Sequence, residues 1–143
     1  MQLEEYAQII AQMIARLEPL HVLDYGCGAD LALAKHLKEC GLTHSFKYQA
    51  YDADVPKFAA PPFPADIVVC LNLNTDEALE DLRRLVEGVG FFVVTGCDVH
   101  EWLPRIMARF DLQTFQAVSP EEFYVVVYTK PRAIENEAGE KLI

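Results

Sequence analysis

Apolar residues recur at three- and four-residue steps at the start of the chain, through Leu3, Tyr6, Ala7, Ile10, Met13, Ile14 and Leu17, with Glu4, Glu5, Gln8 and Gln12 on the opposite side. That period predicts an amphipathic helix that ends near Pro19, a leading element over residues 1–18. The run His21-Val-Leu-Asp-Tyr25 is short, apolar and cut off by Gly26 and Gly28, which reads as a buried strand entering a tight turn. A helix from Ala29 to Cys40 follows, with Leu33, Ala34 and Leu37 on one face and Gly41 as its stop. Phe46 to Asp52 is a second strand, and the proline-rich stretch Val55 to Pro64 suits neither a helix nor a central strand.

Asp66-Ile-Val-Val-Cys-Leu71 reads as another buried strand. The segment Asn74-Thr-Asp-Glu77 has the spacing of a capping box, with Asn74 placed as the cap of a helix that lasts to Val86 and stops at Gly88. Gly90 to Thr95 forms a further strand ended by Gly96. A short helix holding Trp102, Ile106 and Met107 is expected to begin near Pro104, because proline is tolerated in a first turn. The alternation then stops: Leu112–Ala117 and Glu122–Thr129 are strands joined only by Ser119-Pro120-Glu121, so they should pair antiparallel. The tail Pro131–Ile143 is polar and aperiodic, which predicts a flexible end. The sum is an α/β chain: a doubly wound, mostly parallel, Rossmann-like sheet with a C-terminal antiparallel hairpin, flanked by helices, as one domain over residues 1–130.

Composition narrows the partners. A 143-residue chain that is 52% hydrophobic can bury a core without staples. Its net charge of −10 disfavours nucleic acid and anionic lipid, leaving a small molecule or another protein as the expected partner. Cys27, Cys40, Cys70 and Cys97 lie 13, 30 and 27 residues apart with no Cys-x-x-Cys pair, so neither a metal site nor a disulfide framework is expected. No apolar run approaches the ~20 residues that cross a bilayer and no leader pattern opens the chain, which points to a cytoplasmic protein.

Candidate chemistry gathers at the carboxyl ends of the first strands, where open parallel sheets bind ligands. Gly26 and Gly28 let the backbone approach a ligand, and N–H groups at the start of the next helix can meet an anionic group. Asp52 ends the second strand 28 residues after Asp24, near where a ribose-binding acid belongs in such folds. A dinucleotide fingerprint is incomplete, since the third glycine of Gly-x-Gly-x-x-Gly is replaced by Leu31.

Val22-Leu-Asp-Tyr-Gly-Cys-Gly28 resembles the first motif of the class I S-adenosylmethionine-dependent methyltransferases. Tyr51-Asp-Ala-Asp54 resembles their second motif, Pro64-Ala-Asp-Ile-Val-Val-Cys70 the strand of their fourth, and Phe91-Phe-Val-Val94 and Phe123-Tyr-Val-Val-Val127 their later strands. The pattern is similar to small, often phage-borne members in which a loop replaces the helix and strand after the second strand. The resemblance covers about residues 20–130. It implies S-adenosylmethionine as cofactor. Gly26, Cys27 and Gly28 would then lie along its methionine part, Asp24 would support the turn and Asp52 would hold the ribose. Ala53 would lie near the adenine, and Leu71 and Asn72 near the reactive methyl.

The chain departs from the family at Asp30, where another glycine is usual, and in Leu71-Asn-Leu-Asn-Thr-Asp76, where relatives carry an acidic residue and later a Glu-His pair. No family acid or base carries over. Asp98 and His100, after a strand end, are the remaining candidates for taking a proton from an acceptor, although a turn cap and a solvated imidazole are the simpler roles. Two functions follow: a methyltransferase acting on a small-molecule or protein acceptor, or a methyltransferase-like domain without turnover that binds a ligand or a protein.

Overall fold

The computed structural model describes residues 2–41 and 46–130. The expected flexible tail Pro131–Ile143 lies outside the described residues, as does His44. The order of elements is α1 (Leu3–Ala15), β1 (His21–Tyr25), α2 (Ala32–Glu39), β2 (Lys47–Tyr51), a 3-10 turn (Pro56–Phe58), β3 (Ala65–Leu73), α3 (Asp76–Leu85), β4 (Val86–Thr95), α4 (Val99–Arg109), β5 (Phe110–Ser119) and β6 (Glu122–Thr129). Among the described residues no helix is long and apolar enough to cross a membrane.

The strands form one sheet in the order β2-β1-β3-β4-β6-β5. β1 pairs in parallel with β2 and β3, and β3 with β4, whereas β6 runs antiparallel to both β4 and β5. The hairpin thus inserts its second strand beside the parallel core and leaves β5 as the edge. Strand order reverses at β1, flanked by β2 on one side and β3 on the other, which opens the crevice that such sheets use for ligands.

Helices cover both faces because the buried strands are apolar on both sides. Val22, Ile67, Val69, Leu71, Phe91, Val93 and Val126 pack under α1 and α2. Leu23, Val68, Cys70, Phe92, Val94, Val125 and Val127 pack under α3 and α4. The period-2 alternation of β1, β4 and β6 between these two cores is what a sheet buried on both faces requires. α1 buries Tyr6, Ala7, Ile10 and Ile14 of the stripe that its sequence pattern presented, together with Ala11, whereas Leu3 and Leu17 at the ends of that stripe are exposed.

Several boundaries differ from expectation. α2 begins at Ala32 rather than Ala29, because Leu31 adopts a left-handed backbone (φ 51°) and the turn after β1 runs six residues, 26–31. The cap of α3 is Thr75, whose hydroxyl accepts the Ala78 N–H at 3.1 Å, and Asn74 precedes it. Gly88 does not stop that helix. The chain leaves α3 at Leu85 and enters β4 at once, with Gly88 and Gly90 inside the strand. A Cβ at Gly88 would lie 2.6 Å from the Asp66 carbonyl oxygen, and one at Gly90 would meet the Phe92 ring at 2.6 Å. Both glycines answer close approach, and Gly88 is not the helix stop that its sequence suggested. α4 starts at Val99 and carries Pro104 in its interior, because Asp98 caps it five residues earlier than a first-turn proline would. β3 is longer than expected at both ends and β5 begins at Phe110.

Candidate functional site

The turn that leaves β1 is held by its neighbour. Tyr51, the last residue of β2, accepts the N–H groups of Gly26 at 2.7 Å and Cys27 at 3.0 Å on its carbonyl oxygen, and Asp52 Oδ2 accepts the Gly28 N–H at 3.0 Å. The other Asp52 oxygen accepts the Asp54 N–H at 2.9 Å, so one carboxylate ties the glycine turn to the turn after β2. Gly26 and Gly28 both have positive φ, 78° and 70°, a conformation that L side chains avoid. Gly26 also has no room for one: an added Cβ would stand 2.5 Å from Asn72 Oδ1 at the end of β3. Around Gly28 the space is open.

This turn forms one wall of a cavity of about 260 Å³. Asp24, Gly26, Cys27, Gly28, Asp52, Leu71 and Asn72 all line it, which brings together seven residues named from sequence. Ala53 does not line it and is exposed on the turn between Asp52 and Asp54. The start of α2 borders it too, where the sequence placed N–H groups for an anion, but the sequence did not point to Leu3 and Glu4 at the start of α1. Glu4 is held to α2 by the His36 ring, 2.7 Å away. The leading helix therefore closes over the crevice as well as packing on the sheet.

Asp24 is the one buried charged residue among those described, at 2% exposure. Its Oδ2 accepts the Tyr48 hydroxyl at 2.6 Å, from a residue of β2 that shares its face of the sheet. Burial pushes its carboxyl up to about 6, the Tyr48 hydrogen bond opposes that, and the Asp52 charge adds to it. The same two carboxylates, after burial, push the Cys27 thiol up to about 11, so Cys27 stays a neutral thiol at pH 7 and is a poor nucleophile. Tyr48 had no distinguishing sequence signal beyond its place two residues before the strand position opposite Asp24.

Asp98 and His100 stand elsewhere. Asp98 Oδ1 accepts the His100 N–H at 2.7 Å and the Glu101 N–H at 3.3 Å as the cap of α4. His100 borders a separate apolar groove between α4 and β5, with Leu103, Met107 and Phe115. Trp102 is buried in the core, with the Arg105 guanidinium 5.4 Å from its ring centre. His21, which had no evident partner in the sequence, faces the Gln49 side-chain nitrogen at 3.2 Å. Among the described residues no cluster of His, Cys, Asp and Glu could hold a metal ion, and Cys27, Cys40, Cys70 and Cys97 are free thiols.

No protein-family model matches the sequence, and no curated protein matches it. Solved structures do match. A protein of Sulfolobus solfataricus assigned to the type 11 methyltransferases is 15% identical, with a TM-score of 0.60 over 87% of this chain and 92% of that one. The ribosomal protein L11 methylase of Lactobacillus delbrueckii subsp. bulgaricus is 16% identical, with a TM-score of 0.51 over 87% of this chain and 77% of that one. The 16S rRNA methylase RmtB, also 16% identical, gives 0.52 over 85% of this chain, which spans 61% of that protein's length. Likeness at such identity shows the fold alone, and the fold that this chain has is methyltransferase-like.

Proposed function

We propose that the chain binds S-adenosylmethionine in the cavity between the β1 turn and α1 and transfers its methyl group to a small-molecule or protein acceptor. The observation that carries this reading is the direct junction of the glycine turn with Asp52, 3.0 Å from the Gly28 N–H, at the point where strand order reverses. Asp52 is positioned to accept ribose hydroxyls on the lone pairs that its two amide donors leave free. The N–H groups of Ala32 and Leu33, in the first turn of a helix without a side-chain cap, border the cavity and can meet the cofactor carboxylate. Asp24, half satisfied by Tyr48, suits the cofactor ammonium.

The transfer itself asks for positioning. The bond from methyl to sulfonium sulfur breaks with its electron pair left on sulfur as a new bond forms to the acceptor, which gives up a proton. Asn72, at the cavity edge against Gly26, is placed to orient such an acceptor. Asp98 and His100 do not line the cavity, so a proton lost there passes to one of its carboxylates or to water.

Titration calorimetry with S-adenosylmethionine and S-adenosylhomocysteine tests the reading. Saturable binding of the cofactor, weakened at least about tenfold by Asp52→Ala, is the expected result. No heat with either ligand at millimolar concentration would refute it. Cofactor binding with no methyl transfer to any component of a cell extract would leave a ligand-binding domain in place of an enzyme.

A further inference from the structure

The cavity between the β1 turn and α1 is lined by negative charge. Its lining holds four carboxylates, Glu4, Asp24, Asp30 and Asp52, and no lysine, arginine or histidine. Asp24 is buried to 2% exposure, and among the described residues its second oxygen accepts no hydrogen bond. Backbone donors offset only Asp52, which accepts the Gly28 and Asp54 N–H groups; Gly26 and Cys27 give theirs to Tyr51, and among the described residues no backbone N–H reaches Glu4, Asp24 or Asp30. S-adenosylmethionine brings a sulfonium and an ammonium against one carboxylate, a net charge of +1. Loss of the methyl turns the sulfonium into a neutral thioether and leaves a ligand of net charge zero, otherwise almost unchanged in shape.

We propose that this cavity holds the cationic cofactor more tightly than the neutral product, and that Asp30 and Glu4 at its rim set that preference. The inference rests on the cofactor reading above. Asp24 faces a ligand ammonium that both forms carry, so it supports binding of either. The rim carboxylates act on the sulfonium charge across the half-enclosed space, where an attraction falls less steeply than in open water. Glu4 Oε2 is engaged by the His36 ring, 2.7 Å away, which leaves Asp30 the larger part. The consequence is a protein that releases its product easily and is little inhibited by it.

Calorimetry at low salt tests this with three ligands: S-adenosylmethionine, S-adenosylhomocysteine, and an analogue carrying a protonated amine in place of the sulfonium. The two cations should bind at least about fivefold tighter than the product, and that ratio should shrink as sodium chloride rises from about 20 mM to about 500 mM. The double substitution E4Q/D30N, at two exposed positions, should bring the ratio toward one by weakening the cations. Circular dichroism checks that this variant folds. Product binding as tight as cofactor binding, or a ratio that ignores both salt and the double substitution, would overturn the preference while leaving the cofactor reading standing. Failure of all three ligands to bind would overturn the cofactor reading itself.

Discussion

At the scale of single residues, Asp24 shows how a site stores free energy. A carboxylate at 2% exposure is costly, and its rise from 3.8 to about 6 measures that cost. Because the folded protein holds the proton more tightly than the unfolded chain, stability falls as pH rises from about 4 through 6, by on the order of 2 to 3 kcal/mol in total. Asp24→Asn keeps an acceptor for the Tyr48 hydroxyl and removes the charge. Urea melts should therefore show the variant more stable than the parent at pH 8, with the gap narrowing through pH 5 and closing below about pH 4; a parent whose stability is flat across that range would refute the assignment. Gly26 is constrained twice, by its φ of 78° and by Asn72 Oδ1 standing 2.5 Å from where a Cβ would sit. Gly26→Ala should cost about 1 to 3 kcal/mol, and Asn72→Ala in the same chain should recover the steric part but not the conformational part. A double-mutant cycle with no coupling would show that the two residues do not meet.

At the scale of elements, the sequence was legible wherever one period ran uninterrupted. The middle of the apolar stripe of α1, the buried run of β1 and the antiparallel pairing of the terminal strands each matched the structure closely, because burial on one or two faces leaves few choices of residue. Boundaries were less legible. Pro104 is compatible with a first helical turn on its own chemistry, yet Asp98 supplies an oxygen to two first-turn N–H groups and sets the start earlier. Asp98→Ala should cost about 1 kcal/mol in a thermal or urea melt and leave cofactor affinity within about twofold. An affinity loss above about tenfold would return Asp98 to the site. Gly88 read as punctuation because only the third dimension reveals that the Asp66 carbonyl fills the space a side chain would need. Gly88→Ala places its methyl 2.6 Å from a backbone oxygen of β3, which cannot swing aside as a side chain can. A loss of about 2 to 4 kcal/mol is expected, far above what an exposed strand glycine would show under the same substitution.

At the scale of the whole molecule, the cavity joins residues that the chain keeps far apart. The turn after β1 and Asp52 were legible because a strand-end glycine pair and a strand-end acid carry their own chemistry. Leu3, Glu4 and Tyr48 were not, because an exposed first-turn residue and a strand tyrosine have many other uses. What brings them in is topology: α1 packs across the face that Asp24 looks onto, and its first turn overhangs the carboxyl ends of the strands. Charge acts at the same scale. With 22 acidic and 12 basic residues the unliganded chain repels itself, and four of those acids converge on one crevice. Salt should therefore act in opposite directions on the two states. Raising ionic strength screens the repulsion and should raise the melting temperature of the free protein, by about 2 to 5 °C between 20 mM and 500 mM salt. The increment in melting temperature added by S-adenosylmethionine should shrink over the same range, because a cationic ligand relieves the repulsion that salt has already screened. Thermal melts at several salt concentrations, with and without ligand, read both slopes in one experiment; slopes of the same sign would mean that the crevice charge has no part in binding.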